Sequence, residues 1–150
     1  APLYLYCRER RSENSSLPLK VLLGARRKSL LIGHQGFLDL GVDTGLATDD
    51  GSAGHHGNVI ELLEQEMEQL GPDAEIAGIG CGPHGMNVAL RDIAVEKNLK
   101  FWISLENYMP CGFGACFGCV IAGPEDGPLR YRRVCVEGPC FSVEELPAHF

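Results

Sequence analysis

The stretch AEIAGIGCGPHGMNVALRDIAVEKNLKFWISLE, residues 74–106, changes its period twice. AEIAGIG (74–80) is a short apolar run that reads as a strand. CGP (81–83) makes a tight turn, with Pro83 near the first helical position, where a missing N–H costs nothing and φ is already helical. Met86, Leu90, Ile93 and Ala94 then recur at helical spacing, in a helix running to about Asn98. KFWISLE (100–106) is a strand again. Strand, helix and strand joined by short connections predict a parallel pair with a right-handed crossover.

Working toward the N-terminus, the same scheme repeats. NVIELLEQEMEQLG puts Val59, Leu62, Leu63, Met67 and Leu70 on one helical face and Glu61, Glu64 and Glu68 on a solvated one, and Gly71 and Pro72 stop it. GVDTGLAT (41–48) reads as a strand, and so does LPLKVLLGA (17–25), whose nearly continuous apolar run suits a strand covered on both faces. Residues 29–39 read as a weaker helix opened by Ser29 as N-cap and interrupted by Gly33 and Gly36, and DDGSAGHHG (49–57) as a loop. APLYLYCRERR reads as a helix already under way, and with Ala1 in place of an initiator Met the chain is expected to be a piece of something longer. The alternation predicts an α/β domain with an open parallel, Rossmann-like sheet over residues 1–106, followed by a small irregular segment, 107–150, at the carboxyl edge of the sheet.

That segment holds CGFGACFGCV (111–120) and YRRVCVEGPC (131–140). Zinc sites draw their ligands from paired C-x2-C knuckles, and only Cys116 and Cys119 form such a pair. The order Cys111, Cys116, Cys119 and then Cys135 is the plant-type spacing of a [2Fe–2S] cluster. Gly112, Gly114 and Gly118 would let the backbone curl with positive φ and bring N–H groups close to sulfur. Zinc and structural or disulfide-paired thiols remain alternatives, although seven cysteines cannot all pair. Cys7 reads as core, while Cys140 is a rival fourth ligand.

A chain of 150 residues can bury one main core, and 45% hydrophobic with 22% charged residues is ordinary for a globular protein. A net charge of −7, with basic residues only in small clusters and no run of interleaved aromatics, argues against nucleic acid. No apolar run approaches the ~20 residues of a membrane span, and no signal peptide opens the chain, so a cytoplasmic setting is expected. The five histidines (His34, His55, His56, His84 and His149) form no catalytic set.

GAR (24–26), TDDGSAGHHGNV (48–59), GCGPHGM (80–86), SLENYMPCGFGACFGCV (104–120) and YRRVCVEGPCF (131–141) stand in one order. Together they resemble the nucleotide-binding half of the ferredoxin–NADP reductase superfamily, and most closely the electron-transfer subunit of type B dihydroorotate dehydrogenase. The resemblance implies a flavin-binding barrel before this domain, and a first, central strand whose Gly-rich turn cradles pyrophosphate; neither is in this sequence. It assigns Cys111, Cys116, Cys119 and Cys135 to the cluster. Cys81, Gly82, Pro83 and Met86 would lie where nicotinamide meets flavin. Gly24, Ala25 and Arg26 would meet the adenosine side, Asp50 matches an acidic loop residue, and Glu106 falls near the flavin. A charged turn or plain surface accounts for Asp50 and Arg26 nearly as well, and Cys81 also suits a buried strand end. Where the family has a second Pro in CGP-x-P-M, this chain has Gly85.

The implied role is an oxidoreductase subunit taking electrons from NAD(H) through FAD to the cluster and on to a catalytic dehydrogenase partner, as in pyrimidine biosynthesis. The fragment alone is expected to be inactive. Equivalent subunits of a hydrogenase, sulfide dehydrogenase or ferredoxin–NADP oxidoreductase share these motifs, and a zinc-stabilised interaction module is the rival from another class. Phe113, Phe117 and Val120 would shield the cluster or meet the partner, or simply pack locally.

Overall fold

The computed structural model describes residues 2–71, 74–123, 127, 130–148 and 150; the expected stop at Pro72, and His149, lie outside them. The chain divides into two compact units, Ala1–Ala74 and Glu75–Phe150. The division anticipated at 106/107 falls inside the second unit, because strands and turns that follow the cysteine loop pack onto elements that precede it.

The first unit runs α1 (Pro2–Glu13), β1 (Lys20–Ala25), α2 (His34–Asp39), β2 (Asp43–Thr48), β3 (His55–His56) and α3 (Val59–Leu70), with its strands parallel in the order β1-β2-β3. Cys7, Val21, Phe37 and Val42 form its core with Leu3, Tyr4 and Leu23 against them, and the Tyr4 and Phe37 rings meet edge-on at 5.8 Å. Cys7 is thus core, its thiol pKa pushed up by burial. Asn58 caps α3 in a capping box with Glu61, so that carboxylate is not merely solvated as the sequence suggested. Leu70 is 63% exposed, and of the expected apolar face Leu62 and Met67 are buried. The anticipated single helix over 29–39 is instead a 3-10 turn (Lys28–Leu30) and the short α2. Ser29 lies within that turn, and Gly33, at φ 82°, forms the N-cap of α2. A left-handed residue interrupts helical backbone, and glycine adopts it without a Cβ clash.

The second unit holds β4 (Ala77–Cys81), α4 (His84–Glu96), β5 (Lys100–Ser104), β6 (Val120–Ala122), β7 (Tyr131–Arg133) and β8 (Cys140–Ser142). β4 and β5 are parallel, as read from the sequence. Glycines give α4 its close approach to β4: a Cβ on Gly80 would fall 2.1 Å from Leu90 Cδ2. The helix ends at Glu96, two residues short of Asn98, which turns left-handed at φ 53°. Two features were not anticipated. β8 joins the free side of β5 antiparallel, and β6 pairs with β7 antiparallel, so the segment after Glu106 is more regular than its glycines suggest. Each unit thus contributes one parallel pair to a three-stranded sheet, and β1 and β4 each have a strand partner on one side only among the described residues.

Candidate functional site

The CGP turn is built by β4 and α4. Cys81, half-buried, ends β4 in register with Ser104 of β5, so both strands release their chains at the same edge. Gly82 is pressed against Met86, whose Cε would lie 2.5 Å from an added Cβ. Pro83 is the N-cap of α4 rather than its first helical residue. Asn87, which the sequence reading passed over, is 2% exposed and donates from Nδ2 to the Gly82 carbonyl at 3.0 Å. Its signal was a polar residue on an otherwise apolar helical stripe. A cavity of about 370 Å³ opens beside the turn, lined by His84, Leu105, Glu106, Val120, Ile121 and Phe150 among others. Within this unit, therefore, the structure brings Glu106 to the same cavity as the residue that follows the CGP turn.

The other predicted nucleotide residues lie in the first unit. Gly24 is packed against Val59, Ala25 ends β1, and Arg26 is exposed beyond it. The Asp49 and Asp50 N–H groups donate to the Ala25 and Arg26 carbonyls, each at 3.2 Å, which ties the two loops together. The Asp50 carboxylate is turned onto its own loop: it accepts from the Ser52 N–H at 3.0 Å, and Ser52 holds its pKa below the usual value. Buried Thr48, another residue the sequence did not single out, clamps this loop by donating to the Ala53 carbonyl at 2.8 Å and accepting from the Ala53 N–H at 3.0 Å.

Two of the four cysteines meet directly: Cys119 and Cys135 have sulfurs 3.2 Å apart, while Cys111 and Cys116 stand on the loop that leads into Cys119. Backbone N–H groups converge on the sulfurs, from Gly118 to Cys116 at 3.4 Å and from Cys135 to Cys119 at 3.5 Å. The amides of Cys116 and Phe113 hold the Cys111 thiol down at about 6, and that of Cys135 lowers Cys119, while Cys135 itself is raised by its bond to Cys119. Such a concavity of N–H dipoles favours thiolate and bridging sulfide over neutral thiol. Among the described residues no three Cys, His, Asp or Glu side chains converge as the ligands of a single ion do. Cys140 stands apart, exposed on β8 opposite Ser104.

The loop's shape departs from expectation in one detail. Gly112 and Gly114 have positive φ, but the third such residue is Phe117, at φ 55°. Gly118 is required for space: a Cβ there would come within 2.8 Å of Pro110. Phe113 and Phe117 are 74% and 63% exposed, so neither is buried in local packing.

Residues 106–147 match the family model described as the iron-sulfur cluster binding domain of dihydroorotate dehydrogenase B. Along most of its length the chain is similar to the electron transfer subunit of dihydroorotate dehydrogenase B (NAD(+)). It is 38% identical over 85% of the chain to the subunit from Caldanaerobacter subterraneus, and 33% over 94% to that from Desulforamulus reducens. To that from Enterococcus faecalis it is 40% identical over 83%. The chain spans about half the length of these relatives, 49%, 52% and 46% respectively. A solved NADH-dependent reduced ferredoxin–NADP oxidoreductase, described for flavin-based electron bifurcation, superposes with a TM-score of 0.70 at 27% identity, over 95% of this chain and 48% of that one. The resemblance read from the motifs thus holds, and the fold is of the ferredoxin–NADP oxidoreductase type.

Proposed function

We propose that this chain is the pyridine-nucleotide and iron–sulfur part of an oxidoreductase electron-transfer subunit. In this reading Cys111, Cys116, Cys119 and Cys135 would hold a [2Fe–2S] cluster. The observation that carries it is the sulfur set itself: the Cys119 and Cys135 sulfurs lie 3.2 Å apart beside the Cys111–Cys116 loop, with no three ligands converging on one point among the described residues as a single tetrahedral zinc would need. The donor set fits, since all four are soft sulfur ligands and backbone N–H groups already meet the sulfurs of Cys116 and Cys119. When bound, such a cluster accepts and releases single electrons, whereas a nicotinamide delivers two together, so a flavin belongs between them.

The chain's own residues supply position. Gly82 and Pro83 keep the turn above Cys81 narrow enough for a flat ring to approach, and Asn87 fixes the Gly82 carbonyl. Glu106 lines the adjoining cavity as the carboxylate beside the flavin. Gly24, Ala25 and Arg26 meet the adenosine side of NAD(H), Asp50 is the acidic residue of the loop tied to them, and FAD is held in the complete protein. Residues 107–150 serve as the cluster-binding segment. The electron acceptor is a catalytic dehydrogenase subunit in a hetero-oligomer, dihydroorotate dehydrogenase of pyrimidine biosynthesis being the partner that the named relatives support. No helix among the described residues is long and apolar enough to cross a membrane. The reduced thiols that a cluster requires favour a cytoplasmic setting.

Anaerobic purification, a visible spectrum before and after dithionite, electron paramagnetic resonance and an iron and zinc assay test this. About two irons per chain, bands that bleach on reduction and a spin-half signal are expected. Stoichiometric zinc in a colourless protein would overturn the reading in favour of an interaction module.

A further inference from the structure

Among the described residues, Arg133 ties both cysteine-bearing segments together through a charged group. It sits on β7 opposite Val120, the residue after Cys119. Its Nη1 donates to the Gly114 carbonyl at 3.2 Å, between Cys111 and Cys116 in the chain. Its guanidinium carbon lies 5.4 Å from the centre of the Phe117 ring, between Cys116 and Cys119. Glu137, on the turn after Cys135, accepts from Nη2 at 2.5 Å and from Nε at 3.2 Å, and from the Arg133 backbone N–H at 2.6 Å. The fit at Gly114 is tight: a Cβ there would meet Val136 Cγ2 at 2.5 Å and Arg133 Nη1 at 3.2 Å. A planar fork that donates in several directions while stacking on an aromatic face is something arginine provides and lysine does not.

We infer that Arg133 is a positioning residue of the cysteine loop, holding the 111–119 segment against the turn that carries Cys135, and that its charge, partly offset by Glu137, sets the reduction potential of the group the four thiols hold. This rests on the proposed [2Fe–2S] reading. One-electron reduction adds negative charge at the cluster, which a nearby cation stabilises and a nearby carboxylate opposes. The two residues therefore act on the potential with opposite signs.

The test is a dithionite redox titration of the iron- and sulfide-reconstituted chain, followed by electron paramagnetic resonance, with Arg133→Gln, Arg133→Lys and Glu137→Gln beside the parent. Arg133→Gln is expected to lower the potential and Glu137→Gln to raise it, each by about tenfold in the reduction equilibrium, which is about 59 mV for one electron. Arg133→Lys keeps the charge and should hold the parent potential, yet release iron to a chelator about tenfold faster because the fork is lost. Mere structural damage would move both charge variants the same way. A shared direction, or no shift in Glu137→Gln, overturns the inference while leaving the cluster reading intact. Should Arg133→Gln fail to hold iron, the Glu137→Gln and Arg133→Lys results still decide. A parent chain that takes up no two-iron cluster would instead sink the reading beneath it.

Discussion

Cys135 and Cys140 are close in sequence, and spacing alone left either as the fourth ligand. Their backbones separate them: the Val134 N–H donates to the Cys119 carbonyl at 3.1 Å, which brings Cys135 against Cys119, while Cys140 has already entered β8. Cys135→Ser is therefore expected to lose the bleachable visible bands and most of the bound iron, and Cys140→Ser to keep both; equal iron loss in the two would refute the assignment. The neighbouring carboxylate Glu145 makes a pH prediction. It accepts from the Ser142 N–H at 2.9 Å and from Arg132 at 2.7 Å, and the Ser142 amide holds its pKa below the ordinary 4.5. A carboxyl whose folded pKa is depressed stabilises the fold above its unfolded pKa and loses that contribution as pH falls through the folded value. Denaturant unfolding should thus separate the parent from Glu145→Gln at neutral pH, and the gap should shrink as pH drops below 4.5.

Elements follow from the same physics, and here sequence and structure diverge instructively. The βαβ unit from β4 to β5 was legible because each change of period coincides with a turn residue, and α3 because its apolar residues from Val59 to Leu70 recur at helical spacing, whereas the Asn58–Glu61 capping box was not seen. Asn58→Ala should cost about 1 kcal/mol of stability, the usual worth of a cap, in denaturant unfolding. β3 and β8 were not legible: two and three residues carry no usable period, and their pairing is a tertiary choice. Asn87 escaped for the opposite reason, since its helical position reads as core, and only the fold reveals the Gly82 carbonyl it must satisfy. Gly80 of β4 is a packing requirement. Gly80→Ala would drive a methyl into Leu90, and about 1–3 kcal/mol of destabilisation is expected from overpacking, read as a lower denaturation midpoint with an unchanged m-value.

For the whole molecule, the placement of the thiols decides how loading is felt. Every proposed ligand lies in the unit Glu75–Phe150, and none in Ala1–Ala74. A group that binds the folded form alone stabilises it by mass action, and does so through the residues it constrains. In this chain those residues are the 111–119 loop, the β6–β7 pair that follows it and the turn carrying Cys135, tied together by Arg133 and Glu137. Hydrogen exchange of the reconstituted and metal-free forms should therefore show slowing on loading that is strongest at the Gly118, Val134 and Cys135 amides, which meet cysteine sulfur or the Cys119 carbonyl. The β1 and β2 amides, paired with each other in the first unit, should change far less. Equal protection in both units would mean that loading is read across the whole chain rather than in the unit that holds the thiols, and the local account of the site would have to be given up.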